Sequence, residues 1–125
     1  MLTGLIDTAE TKGIQSKGVY VYNKHFVMND QENNRAGIGT WVTEQALREI
    51  YLKGFEIAIK ESRPWTVMTS YNYINGVYAS ESRELNTTIL RDEWGYEGTV
   101  MTDWYSGKDG ARQMWAGNDM LQPGK

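Results

Sequence analysis

Three short stretches of this chain bring together groups able to do chemistry. Gly98-Thr99-Val100-Met101-Thr102-Asp103-Trp104 rises from a turn glycine as a β-branched run and delivers a carboxylate and an indole side by side at its far end. Lys24-His25 brings an ammonium and an imidazole to the end of another such run, and Met68 to Asn72 brings a thioether, hydroxyls and the Tyr71 phenol to the end of a third. Each has a bland reading when taken alone. Lys24 is then a solvated charge, His25 a hydrogen-bonded packing residue, and Asp103 a cap for the helix that follows. Their coincidence at three consecutive strand ends, where strand interiors carry no such groups, points to one shared site.

Composition narrows what that site can handle. With 125 residues and 40% hydrophobic content there is enough chain for one domain with a modest core. The net charge is −3 and the basic residues are scattered, so the positive stripe of a nucleic-acid binder is missing. With no cysteine, neither a disulfide framework nor a thiolate metal site can form, and a single histidine disfavours zinc; no metal and no cofactor are expected. No apolar run approaches the roughly 18 residues of a membrane span, and Asp7 interrupts Met1 to Ile6 before a signal-peptide core forms. The chain therefore reads as soluble and without an address, the cytoplasm being favoured. Five Trp and eight Tyr stand against two Phe, so most rings carry a polar handle. Such rings fit two readings: a core that uses Tyr for Leu, the more common explanation of any single ring, or a cleft for carbohydrate, which offers CH faces to aromatic planes and hydroxyls to polar tips.

The elements that must position these groups alternate along the chain. Leu2, Leu5, Ile6 and Ala9 sit at helical spacing, with Lys17-Gly18 as a stop. Gly18 to Val27 reads as a strand, and Met28 to Thr40 as a polar loop of a length that is usually functional or disordered. Thr43 to Ser62 is helical, with Leu47, Ile50, Tyr51, Phe55 and Ala58 on one stripe and Glu49/Lys53 and Glu56/Lys60 as ion pairs on the other face. Pro64 ends it, Trp65 to Tyr71 is a second strand, and Asn75-Gly76 signals a small hairpin. A helix capped by Ser82 or Asn86 runs to Gly95; Gly98 to Trp104 is the third strand. An amphipathic stretch from Lys108 to Trp115 precedes a fourth strand opening near Asn118 to Leu121. Strands separated by helices need crossover connections, so the expected fold class is α/β with parallel strands, either an open doubly wound sheet or about four βα units of a partial (β/α)8 barrel. In both, active groups gather at the carboxyl ends of the strands.

Motifs along the whole chain resemble the catalytic barrel of glycoside hydrolase family 3, the β-glucosidases and their relatives. They are Lys24-His25-Phe26-x-x-Asn29-Asp30-Gln31-Glu32-x-x-Arg35, Arg48 to Leu52, Val67 to Asn72, Ile89 to Gly98, Val100 to Trp104, and Ala116 to Met120. The resemblance implies that residues 1–125 are part of an N-terminal (β/α)8 barrel domain whose early strands and following α/β domain lie outside this chain. It implies retaining hydrolysis of terminal β-linked glucosyl or related residues, with Asp103 as nucleophile. Lys24 and His25 then match the pair that bonds sugar hydroxyls, Met68 and Tyr71 line the same subsite, Trp104 is an aromatic wall, and Arg35 and Asn29 brace a loop. The expected partners are a β-glucoside or oligosaccharide substrate and the missing segments of the same enzyme, with no nucleic acid and no membrane. No residue matches the acid/base, which most of the family takes from the following domain. The branch that uses an Asp-His pair in a barrel loop is disfavoured, because Val27-Met28-Asn29 follows Phe26 and there is no second histidine. A non-catalytic carbohydrate-binding module or a structural fragment of such an enzyme is the alternative.

Overall fold

The computed structural model describes residues 1–124. Helix α1 (Leu2–Gln15) leads into strand β1 (Tyr22–Phe26), a polar loop, and strand β2 (Gly39–Thr40). Helix α2 (Glu44–Ala46) runs through a π turn (Leu47–Tyr51) into α3 (Lys53–Ser62), and then come β3 (Thr66–Thr69), β4 (Tyr73–Ile74) and β5 (Val77–Tyr78). A 3-10 turn (Ala79–Glu81), a long π helix (Glu84–Glu93), β6 (Thr99–Thr102) and α4 (Gly110–Ala116) complete the order. The main sheet is parallel in the order β1-β3-β6, each strand added beside its predecessor in the chain. The fold is thus α/β with a parallel sheet, as the alternation of strands and helices required.

Alternation along the strands divides the sheet into two faces. Phe26, Val67 and Val100 face the helices, where they join Leu47, Leu52, Ile59, Leu85, Ile89 and Leu90 in one buried cluster. Phe26 is fully buried and meets Phe55 and Trp94 edge-on, with ring centroids 5.2 and 6.0 Å away. Met68 and Met101, paired in register, take the opposite face.

Several expectations need correction. The strands are shorter than read: β1 omits Gly18 to Val21 and Val27, β3 omits Trp65 and Ser70-Tyr71, and β6 omits Gly98 and Asp103-Trp104. Pairing limits them, because β3 begins at Thr66 and offers no ladder to the residues before Tyr22; Tyr20 lies edge-on against Trp65 instead, centroids 4.4 Å apart. The fourth strand reduces to a single bridge, Met101 to Met120, although Met120 and Asp119 still serve the backbone of β6. The apolar residues of α1 do not form its buried side. Leu2, Leu5 and Ile6 are exposed, and Gly4 is the contact, so close to Gly54 that a Cβ would come within 2.6 Å of its carbonyl oxygen.

The π turn corrects the next helix. Its Leu52 N–H reaches back five residues to the Leu47 carbonyl at 2.8 Å, so the 3.6-residue period slips. Leu47 and Leu52 are buried while Ile50 is 68% exposed, and Lys53 pairs with Glu56 at 2.8 Å rather than with Glu49. The expected Lys60–Glu56 pair forms at 2.8 Å. Ser82 rather than Asn86 caps the π helix, its hydroxyl accepting from Leu85 N–H, and Asn86 is buried inside it. The Asn75-Gly76 hairpin forms between β4 and β5 with both turn residues at positive φ, 49° and 87°. Among the described residues no helix is long and apolar enough to cross a membrane.

Candidate active site

Asp103 follows the last residue of β6, Tyr71 lies two residues past β3, and His25 sits near the end of β1, so the three reach the same end of a parallel sheet. The local fold explains how β1 presents two neighbouring polar residues. Asn23 pairs with Val67 and Phe26 with Thr69, so three steps along β1 answer two along β3. The extra residue is a bulge that lets Asn23 and Phe26 both face the helices and sets Lys24 and His25 between them. Asn23 is pinned from behind, its amide donating to Asp7 Oδ2 at 3.0 Å.

The Asp103 carboxylate is braced from three elements. Oδ1 accepts from the Tyr71 hydroxyl at 3.1 Å and from the Trp104 backbone N–H at 2.8 Å. Oδ2 lies 3.4 Å from His25 Nε2. The Tyr71 proton is shared with the Trp104 carbonyl, 2.7 Å away, so one phenol ties the nucleophile candidate to its neighbour. Burial lowers the His25 pKa, opposed by the Asp103 charge and reinforced by those of Lys24 and Arg35. The imidazole is therefore neutral near pH 7 and lies close to the Asp103 carboxylate without a full positive charge. Burial raises the Tyr71 pKa, with the Asp103 hydrogen bond next in weight, so the phenol keeps its proton and remains a donor. The capping alternative for Asp103 fails: Asp109 caps α4, its carboxylate accepting from Arg112 N–H at 3.1 Å.

The structure brings His25, Tyr71, Asp103 and Trp104 together through direct contacts. Trp104 meets Asp103 and Tyr71 through its backbone and is 46% exposed. Lys24 is exposed, its side chain makes no ion pair or hydrogen bond among the described residues, and its charge is felt by His25. Met68 is buried one residue before the end of β3 and takes no part in the polar contacts. Tyr105, directly after Trp104, holds φ at 60°, a conformation rare for a non-glycine residue, and the turn closes from Ser106 N–H to the Asp103 carbonyl at 3.2 Å.

Two supports go beyond the sequence reading. Behind the site, Ser106 donates to the Ser70 carbonyl at 3.1 Å and bonds the Ser80 hydroxyl at 3.1 Å, joining the loops of Asp103 and Tyr71. Gln113 donates to Ser80 Oγ and to the Ser106 carbonyl, and Asn118 to the carbonyls of Ser80 and Gln113. In front, the Arg35 guanidinium stands over the Tyr71 ring, 4.2 Å from its centroid. The signal for the first was a set of small polar residues flanking the site residues in sequence. For the second, the resemblance cast Arg35 as a brace of its loop, and the contact with Tyr71 is what it did not include.

A parallel α/β sheet thus carries a carboxylate, an imidazole, a phenol and an indole-bearing residue at the carboxyl ends of its strands. Residues 2–120 match the glycosyl hydrolase family 3 N terminal domain, and the chain belongs to that family. It is similar to a probable β-glucosidase I of Aspergillus flavus, 46% identical over 125 residues that make up 100% of this chain and 15% of the relative. An exo-α-(1→6)-L-arabinopyranosidase of Bifidobacterium breve is 46% identical over 90% of this chain and 15% of its own length. Among solved structures, β-glucosidase 3B of Thermotoga neapolitana in complex with glucose superposes with a TM-score of 0.96 at 53% identity, covering 98% of this chain and 17% of that one. The chain thus spans about 15% of the length of the curated relatives it matches.

Proposed function

We propose that this chain is the nucleophile-bearing part of a retaining glycoside hydrolase that releases terminal β-linked glucosyl or related residues. The observation that carries the reading is the Asp103 carboxylate held at a strand end by His25, Tyr71 and the Trp104 N–H. Oδ1 takes two hydrogen bonds, which leaves Oδ2, with His25 as its neighbour, to attack the anomeric carbon. Attack breaks the glycosidic bond and forms a glycosyl-enzyme; water then displaces the carboxylate, and two inversions give net retention. Trp104 supplies an apolar plane for the sugar, His25 and Lys24 hydrogen-bond its hydroxyls, and Met68 lines the floor. β-Glucosidases among the relatives favour a glucosyl unit, whereas the arabinopyranosidase leaves room for a related pyranose.

The acid/base belongs to a part of the enzyme outside this chain. Retaining enzymes hold the second carboxyl about 5–5.5 Å from the first. The one other carboxylate whose charge reaches both His25 and Tyr71 is Glu32, and both of its oxygens are occupied, by Asn29 at 2.7 Å and Arg35 at 2.6 Å. The sheet supports the partial (β/α)8 barrel over the doubly wound alternative, since β1, β3 and β6 follow one another without the reversal of strand order that marks an open doubly wound sheet.

The test joins this chain to the remaining barrel and following domain of a relative. The chimera is expected to hydrolyse an aryl β-glucoside, and Asp103→Ala to abolish turnover while sparing glucose binding. Added azide then restores aglycone release and leaves a glycosyl azide of inverted configuration. If Asp103→Ala changes only affinity, the binding-module reading replaces this one; clear turnover by the 125-residue chain alone overturns the external acid/base.

A further inference from the structure

We propose that Arg35 is a positioning residue of this site: it clamps the Tyr71 ring from above, so that the phenol stays against Asp103. The inference rests on the reading of Asp103 as the working carboxylate and adds a residue to it. Its basis is geometric. The guanidinium carbon lies 4.2 Å from the Tyr71 centroid, inside the distance at which a cation is drawn to a ring face. The hydroxyl of that same ring reaches Asp103 Oδ1 at 3.1 Å and the Trp104 carbonyl at 2.7 Å. A ring pinned by its face at one side and its hydroxyl at the other has little freedom to turn.

Arg35 is itself held in place. Glu32 accepts from its Nη1 at 2.6 Å through one oxygen and from Asn29 through the other at 2.7 Å. Asn29, Glu32 and Arg35, spaced by three, thus form a relay inside the loop after β1, and the relay ends on the Tyr71 face. The loop is fastened again beyond Arg35, where the Ala36 carbonyl accepts from the Tyr78 hydroxyl at 3.2 Å. A loop that merely closed a gap would not require its arginine to lie on an aromatic ring that touches the nucleophile candidate.

The charges around His25 give the clamp a second consequence. Lys24 on its own strand, Arg35 and Glu32 on the loop, and Asp103 after β6 all act on the imidazole, and the Tyr71 phenol lies across the same carboxylate. Arg35 and Lys24 lower the His25 pKa whereas Asp103 and Glu32 raise it, and Arg35 also lowers that of Tyr71. Removing the Arg35 charge therefore pushes both titrations upward.

His25 is the sole histidine, so its ring-proton resonance in the 125-residue chain reports this directly by NMR. The wild-type midpoint is expected below the ordinary value. Arg35→Gln should move it up, and Arg35→Lys, which restores the charge, should move it back down. Glucose affinity of the chimera carrying Arg35→Gln should fall about two- to fivefold, the equivalent of losing an exposed cation–π contact of about 0.5–1 kcal/mol. An unchanged midpoint in Arg35→Gln overturns the proposal, as does a shift that Arg35→Lys fails to reverse, which would assign the arginine to loop folding alone. In the unmutated chain, ring current should displace the Arg35 δ-proton signals upfield, and signals at ordinary positions also overturn it. Absence of glucose binding in the unmutated chimera, with the His25 shifts of the 125-residue chain intact, counts against the hydrolase reading and leaves the clamp standing.

Discussion

The Tyr71 hydroxyl has one proton and two acceptors, the Asp103 carboxylate and the Trp104 carbonyl. In the proposed mechanism a sugar bonded to Asp103 would consume the carboxylate charge and let the phenol lean toward the carbonyl, and return of the charge would draw it back. Burial keeps that proton in place by raising the phenol pKa, so Tyr71 acts as a donor at every stage. Tyr71→Phe keeps the ring under Arg35 and removes only the donor. In the chimeric enzyme it is expected to lower turnover by about ten- to a hundredfold, in line with the roughly 1.5–3 kcal/mol of a hydrogen bond to a charged group, with a smaller change in KM. Equal turnover by the phenylalanine variant would remove Tyr71 from the machinery. Asp103, His25 and Tyr71 were legible in the sequence because a polar residue at the end of a β-branched run is conspicuous. The pairing of Arg35 with Tyr71 was not, since 35 residues separate partners that only the crossover from β1 to β3 brings together.

Elements decide how firmly those residues are held. The loop after β6 begins at Asp103, turns at Tyr105 in a left-handed conformation and returns to Ser106, whose hydroxyl is anchored on Ser70 and Ser80. Gln113 from α4 is the outer bolt, buried and bonded to both Ser80 and the Ser106 carbonyl. Gln113→Ala strands those buried acceptors, at an expected cost of about 1–3 kcal/mol measured by urea denaturation. It should also lower turnover of the chimera, because the loop it frees is the one that carries the carboxylate. A stability loss with unchanged turnover would separate the network from the site. The order of elements was legible from periodicity, but their exact faces were not. A π turn at Leu47–Tyr51 is invisible to a 3.6-residue count, and it alone turns Ile50 outward, Leu52 inward and Lys53 toward Glu56. The bulge at Lys24-His25 escaped for a similar reason: it depends on β3 having fewer residues to offer, which no local pattern in β1 records.

At the scale of the molecule, the two edges of the main sheet differ. Beyond β6, Asp119 and Met120 take up the Val100 and Thr102 backbone groups, so that side is closed. Beyond β1 there is no partner strand among the described residues, and Tyr20 and Tyr22 stand exposed along it. On α1, Leu2, Leu5 and Ile6 form an exposed apolar face, at spacings of three and four that a buried helix would use. An open edge and an uncovered apolar helix face are the two surfaces on which chains associate unless something covers them. In the proposed barrel, the preceding strands and helices would cover both. Without them, the 125-residue chain is expected to self-associate reversibly as its concentration rises, seen as a growing weight-average mass in sedimentation. Leu5→Glu with Ile6→Lys, side chains that are 55% and 50% exposed, should lower that association without changing helix content. A wild-type chain that stays monomeric at high micromolar concentration would mean that these surfaces are tolerated bare, and the argument from them to a covering segment would lose its footing.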